Sequence, residues 1–343
     1  MNKYSFSNDY SEGCHPNILK TLADTNLQQQ LAYGNDDYSV KAKKLIQNQL
    51  GQQNKKPSEI VFVSGGTQAN LIITAAILRP HEALISANTG HITSREAGAI
   101  ESTGHKIISK ETNNGKLNAA LIQEVLNEQN EAPHTVKPKM VYISNATETG
   151  LIYTKAELQE ISDCCRKNNL YLFLDGARLG SALTSKANDV TLADLTELTD
   201  IFWIGGTKAG ALIGEAIVIN HPKLIEDFNF HIKQRGAMLA KGRLLGVQFY
   251  ELFKDDLFFD LSRQANLFAE TIANAFIEKG YQFELETVTN QLFPIISNKK
   301  IKQLEKKFTF YTWKTHDENH SVVRLVTSWA SNKTKVDEFI ELL

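Results

Sequence analysis

Residues 60–76 read IVFVSGGTQANLIITAA, and this stretch decides the fold. A β-prone run, Ile60–Val63, ends in Ser64-Gly65-Gly66-Thr67, and an apolar segment of helical length, Thr67–Leu78, follows. Strand, glycine turn and helix in succession open a βαβ unit. The alternation repeats downstream. Strands are expected at Ala83–Ser86, Lys106–Ser109, Met140–Ser144, Tyr171–Leu174, Ile201–Ile204 and Ala211–Ile219, with helices such as Asn118–Gln129 and Lys155–Asn168 between them. Short strands separated by helices predict an α/β fold with a mostly parallel central sheet and helices on both faces.

Working outward, residues 1–17 are polar and turn-rich, an expected arm that ends in His15-Pro16-Asn17 and leads into a helix, ILKTLADT. Beyond the last sheet strand, a long helix is expected at Met238–Phe253. The remainder reads as α+β: a helix at Leu257–Lys279, strands near Gln291–Ile296 and Val322–Thr327, and a final helix from Asn332. The expected organisation is an arm (1–17), a large unit (18–246) and a smaller α+β C-terminal unit (247–343).

The 343-residue chain is 42% hydrophobic, 22% charged and 9% aromatic. That is an ordinary globular balance and argues against extensive disorder. Lys and Arg number 37 against 39 Asp and Glu, which leaves no electrostatic footprint for nucleic acid or an anionic membrane. The apolar stretches, Leu71–Leu78 among the longest, fall short of the about 20 residues that a spanning helix needs. Cys14, Cys164 and Cys165 are odd in number and lack zinc-finger spacing, so neither a disulfide framework nor a metal site is expected. The opening MNKYSFSNDYSEG has no apolar core of a secretory signal, and the expected compartment is the cytoplasm.

Ligands of doubly wound sheets bind at the carboxyl ends of the strands, and four segments at such ends carry chemistry. In SGGTQAN, Gly65 and Gly66 allow close backbone approach, Thr67 offers a hydroxyl, and a new helix presents its unpaired N–H groups, a combination that can hold a phosphate. Read alone, such a loop is more often a plain strand–helix turn; it is neither a Walker loop nor a GxGxxG fingerprint. In ANTGHITSREAGA, His91 is by itself most simply a surface or structural histidine, or else a ring that stacks on a planar ligand or moves protons. In LYLFLDGARLG, Asp175 ends an apolar strand, where an unpaired carboxylate is costly. It either caps the next helix or meets a cationic partner such as a protonated ring nitrogen. Arg178 could pair with a substrate carboxylate or with Asp175 itself. In DIFWIGGTKAGALIGEAIVI, Lys208 sits in a glycine-flanked loop between apolar segments, where desolvation would favour a nucleophilic amine. Together, in this order, the four segments suit a planar aldehyde with a phosphate tail and a basic ring nitrogen, which is pyridoxal 5′-phosphate.

At these residues the chain resembles the threonine aldolases, pyridoxal-phosphate enzymes of the aspartate-aminotransferase-like (fold type I) class, and the low-specificity L-threonine aldolase branch in particular. The resemblance runs through NDYSEGCHP, AYGNDD, GGTQAN, GHITSREAGA, ATETG, DGARL, GGTKAG, AKGRLLGVQ and VVRLVTS, nearly the whole chain. It implies that Lys208 bonds the cofactor aldehyde, Asp175 pairs with the ring nitrogen, His91 stacks on the ring, and Gly66 and Thr67 hold the phosphate. It also implies that Arg178 and Arg324 bind the substrate carboxylate. Tyr33 and Lys241, with Arg243 as a companion, match positions that reach a neighbouring subunit's site, which implies a homodimer or homotetramer. Without the resemblance, Arg324 reads as an ordinary strand charge and Tyr33 as a core aromatic. The chain departs from its relatives at two places. Asn8 stands where many have a serine that contacts the substrate carboxylate, and Glu148 where some have a histidine near the substrate hydroxyl. Glu148 and His91 are thus both candidates for the catalytic base.

The implied reaction is cleavage of L-threonine, L-allo-threonine or another β-hydroxy-α-amino acid to glycine and an aldehyde. The alternatives are another reaction of the same fold (β-elimination, transamination or decarboxylation) or a non-catalytic cofactor-binding protein, because a fold does not fix a function. A cysteine desulfurase is disfavoured, since no cysteine follows Cys165, and a nicotinamide oxidoreductase lacks its glycine spacing.

Overall fold

The structure is a computed structural model and describes residues 3–51 and 58–343. Met1 and Asn2 of the expected arm, and residues 52–57 of the expected large unit, lie outside the described residues. Seven strands build the central sheet in the spatial order Glu59–Val63, Glu215–Ile219, Ile201–Gly205, Tyr171–Asp175, Lys137–Ser144, Glu82–Ala87, Lys106–Lys110. Glu215–Ile219 is antiparallel to both of its neighbours, and every other pairing is parallel. The sheet is therefore mostly parallel, as the alternating sequence predicts.

Both faces of this sheet are buried, which is why its strands read as continuous apolar runs rather than alternating ones. Successive side chains still go to opposite sides. Leu172, Leu174, Phe202 and Ile204 join one core layer with Ile46, Ile161 and Phe249. Phe173, Ile201 and Trp203 join the other with Ile72, Ile73 and Ile232. The helices end where the sequence supplies stop and start signals. Thr154 and Glu157 form a reciprocal capping box at the start of Lys155–Lys167, and Asn118 caps Ala119–Glu128.

Two expected boundaries shift. The strand read as Ala211–Ile219 begins only at Glu215, because residues 206–214 form a loop in which Gly210 and Gly214 hold φ of 100° and 121°, a region that disfavours side chains. The helix read from Met238 starts at Arg243. Residue 247 lies inside that helix, whose Leu245, Phe249 and Leu252 belong to the large core.

The C-terminal part packs a small antiparallel sheet, centred on His320–Val326, against the helices Leu257–Glu278 and Lys333–Glu341. Its strand Tyr311–Thr315 was invisible to periodicity because none of its side chains is buried. The N-terminal arm is held from its first described turns: Tyr4–Ser5 pairs with Phe308–Thr309, and Phe6 is fully buried, stacked on Phe308 at 5.7 Å. From there the arm crosses to the strand ends of the large sheet. Among the described residues no helix is long and apolar enough to cross a membrane.

Candidate active site

The carboxyl ends of the parallel strands open into a cavity of about 370 Å³ lined by residues from all four singled-out segments, Gly66, Thr67, His91, Asp175, Arg178 and Lys208 among them, together with Glu148. Asp175 forms its inner end. As the last residue of its strand it is 2% exposed. One carboxylate oxygen accepts from the Tyr142 hydroxyl at 2.6 Å and the Asn70 amide at 3.2 Å; the other accepts from the Ala177 N–H at 2.9 Å. Three neutral donors thus satisfy a buried carboxylate with no cation in contact among the described residues, which suits it to receive a protonated ring nitrogen.

Asn70 extends this arrangement. Its carbonyl accepts from the Trp203 indole at 3.1 Å, and its amide also donates to Glu96 at 2.8 Å. The same Glu96 oxygen lies 2.8 Å from Nδ1 of His91. A continuous polar chain therefore runs from His91 through Glu96 and Asn70 to Asp175. With Glu96 on Nδ1, Nε2 is the ring atom of His91 left for other partners. Glu148 accepts from the His91 N–H at 3.0 Å and from the Ser144 hydroxyl at 2.8 Å. Burial, reinforced by the nearby Asp175 charge, pushes its carboxyl above the ordinary value.

The outer end is built for an anion. Gly65 caps the helix Gly66–Ile77 without a side-chain hydrogen bond to the first turn, which leaves first-turn N–H groups for a ligand. Gly66 is required there: a Cβ would lie 2.7 Å from the Trp203 ring. Thr67 is exposed at the rim.

Lys208 rises from the loop between the last two antiparallel strands, its Nζ 5.9 Å from the Tyr10 ring centroid. Burial, and then the Arg178 charge, lowers the pKa of its ammonium, and that raises the share of free amine. Arg178 donates to Asp9 through Nε at 2.7 Å and Nη2 at 2.9 Å. Asn290, from the C-terminal part of the chain, donates to the same Asp9 at 2.9 Å. Arg324 holds the side-chain carbonyl of Gln291 through Nε and Nη2. Burial and the Arg178 charge lower its pKa to about 10.

Four sequence candidates lie elsewhere. Asn8 spends its side chain on a local turn, accepting from the Tyr10 N–H and the Ser11 hydroxyl. Tyr33 and Lys241 sit side by side on another surface, where the Tyr33 N–H bonds Ala240 and Gly34 packs against Gly242. Arg243 ties the Thr25 and Gln28 carbonyls. Sequence reading missed Asp9, Asn70 and Glu215. Two of them carry a visible signal: Asn70 is a polar residue in an apolar helix, and Glu215 is the one charge in ALIGEAIVI.

The model of the Beta-eliminating lyase family matches residues 9–299. A solved threonine aldolase structure from Leishmania major is 46% identical and superposes with a TM-score of 0.96 over 99% of this chain and 98% of that one. The low specificity L-threonine aldolase of Pseudomonas aeruginosa is 29% identical over 97% of this chain and 95% of its own length. An aspartate aminotransferase of Thermus thermophilus, 12% identical, shares the fold with a TM-score of 0.73 over 99% and 91% of the two chains. The matched span, the shared fold and the strand-end cavity agree: the chain belongs to the beta-eliminating lyase family and, within it, to the threonine aldolases.

Proposed function

We propose that this chain cleaves L-threonine, L-allo-threonine and related β-hydroxy-α-amino acids to glycine and an aldehyde, using pyridoxal 5′-phosphate. The observation that carries the reading is one cavity that holds a buried carboxylate, an amine of lowered pKa and an open helix N-terminus. That donor set fits the cofactor. Gly66 and Thr67 would receive its phosphate, Asp175 would hold the proton on its ring nitrogen, His91 would cover the ring, and Lys208 would carry it. When bound, the group supplies an aldehyde and an electron-accepting ring for the pair released at Cα.

The chain's own residues do the rest. Arg178 meets Asp9 through Nε and Nη2, so the Nη1 side of its fork is available to a substrate carboxylate, with Arg324 as the second cation. Fixing the carboxylate orients the Cα–Cβ bond. Glu148 removes the β-hydroxyl proton; its raised pKa and its hydrogen bonds to Ser144 and to the His91 N–H suit a group that takes a proton. His91, with its ring held at Nδ1 by Glu96, lines the same cavity and is the alternative base. Lys208 returns a proton to Cα and releases glycine.

A homodimer or homotetramer is part of this reading. Tyr33 lies away from this cavity on a segment that exposes Leu27 and Leu31 at 93% and 72%, with Lys241 on the stretch bonded to it at Ala240, the position from which they would reach a second subunit's site.

The deciding experiment is acetaldehyde release from L-threonine and L-allo-threonine by wild type and Lys208→Ala with added cofactor. Cofactor-dependent acetaldehyde and glycine, lost in the variant, is the expected result. Ammonia and a 2-oxo acid in their place would assign β-elimination instead.

A further inference from the structure

Glu215 is a buried carboxylate that the reaction above does not use. It is 4% exposed, at the start of a strand whose other residues, Ala216–Ile219, are all apolar and buried. Burying a carboxylate costs several kcal/mol unless its bonds repay it. Its two oxygens take different donors: Oε2 accepts the Gly206 N–H at 2.8 Å and Oε1 accepts the Thr207 hydroxyl at 2.9 Å. These are the two residues immediately before Lys208. The Gly206 N–H also has the Gly214 carbonyl at 3.1 Å, so a neutral residue at 215 would not leave that donor orphaned. Satisfying the loop therefore does not by itself call for a charge. Glu215 also lines the same cavity as Lys208, Asp175 and Arg178.

We propose that Glu215 is the positioning residue of Lys208, fixing the loop stem from which the lysine rises and placing a carboxylate in the cavity that its amine shares. This deepens the reading of Lys208 as the cofactor-bearing amine and rests on it. The groups facing Glu215 across the cavity are Lys208 and Asp175, and the charge on Lys208 is influenced in turn by Arg178 and Asp9. Burial raises the pKa of Glu215 to about 7, with Lys208 pulling the other way. In its ionised form, above about pH 7, the Glu215 carboxylate favours the ammonium form of Lys208. Without it, Arg178 and burial act on Lys208 with less opposition, and the amine becomes a weaker base.

The test uses the full chain stripped of cofactor. The pH dependence of trinitrobenzenesulfonate modification at Lys208, read by peptide mass spectrometry, is compared between wild type and Glu215→Gln. The expected result is a loss of about tenfold in the proton affinity of Lys208, with the amine reactive at lower pH. In the cofactor-loaded proteins, the pH midpoint of the visible absorbance of the lysine-bound cofactor moves the same way. An unchanged midpoint in a variant with wild-type Tm overturns the proposal. If Glu215→Gln does not fold, Glu215→Asp, which keeps the charge but retracts it, shifts the midpoint less and in the same direction; no shift there overturns it equally. Wild type that takes up cofactor but makes no acetaldehyde would sink the aldolase reading while leaving this result intact.

Discussion

Asp9 and Arg178, far apart in sequence, form a two-bond ion pair at 2.7 and 2.9 Å in which the carboxylate is 1% exposed. The N-terminal segment thereby reaches the strand-end cavity that Arg178 lines, and the Asn290 amide donates to the same carboxylate. Three parts of the chain meet at one oxygen pair.

Removing one partner of a buried pair leaves the other charge uncompensated, so Asp9→Ala should destabilise the protein by about 3–5 kcal/mol. It should also raise KM for threonine more than it lowers kcat, because the Arg178 fork loses its anchor. Burial alone would raise the Asp9 pKa, but the Arg178 charge and hydrogen bonds outweigh it and hold the group at about 2. The folded-state value lies below the unfolded one, so the stabilisation is full above about pH 4 and is lost as pH falls toward 2, on the order of 2 kcal/mol in total. Urea denaturation of wild type and Asp9→Asn across that window checks this: the wild-type slope should flatten in the variant.

Gly66→Ala should damage the phosphate end through packing. The new methyl would sit 2.7 Å from a fully enclosed indole, and such overpacking costs about 1–3 kcal/mol. Thermal unfolding should show the loss, and cofactor titration should show weaker binding. A variant with wild-type values for both would remove the claim that this glycine makes room for the helix start.

Asp175→Asn keeps the shape and removes the charge. Cofactor binding should weaken and kcat should fall by at least about 100-fold, the range lost when a preorganised electrostatic contact is deleted. Steady-state kinetics at saturating cofactor separate the two effects, and near-normal turnover would end the assignment of Asp175 to the ring nitrogen.

Glu148→Gln should lower kcat by about 10²–10⁴-fold, the usual contribution of a general base, while Tm stays near wild type because the amide oxygen can still accept the His91 N–H. In wild type, kcat/KM should fall as pH drops through the raised pKa of Glu148, and that limb should vanish in the variant. If His91→Ala abolishes the limb and Glu148→Gln does not, the base is His91.

Much of this was legible in the chain. Strand and helix order follow from local pattern: apolar runs such as Tyr171–Leu174 are buried on both faces, and each glycine-bounded break marks a strand end. The strand-end residues Gly66, His91, Asp175 and Lys208 could be picked from sequence for the same reason, since parallel order puts successive strand ends on one edge. The sequence alone thus determined the strands of the central sheet and the edge at which the candidate site residues gather. Only the tertiary structure decided the partners. Arg178, from sequence a ligand for a substrate or for Asp175, is held by Asp9; Asp175 is satisfied by Tyr142 and Asn70; Glu215 turns toward the stem of Lys208. Those pairings join residues from 8 to 169 positions apart, and no periodicity encodes them. They arise because a buried charge takes whichever donors the packed fold brings within reach.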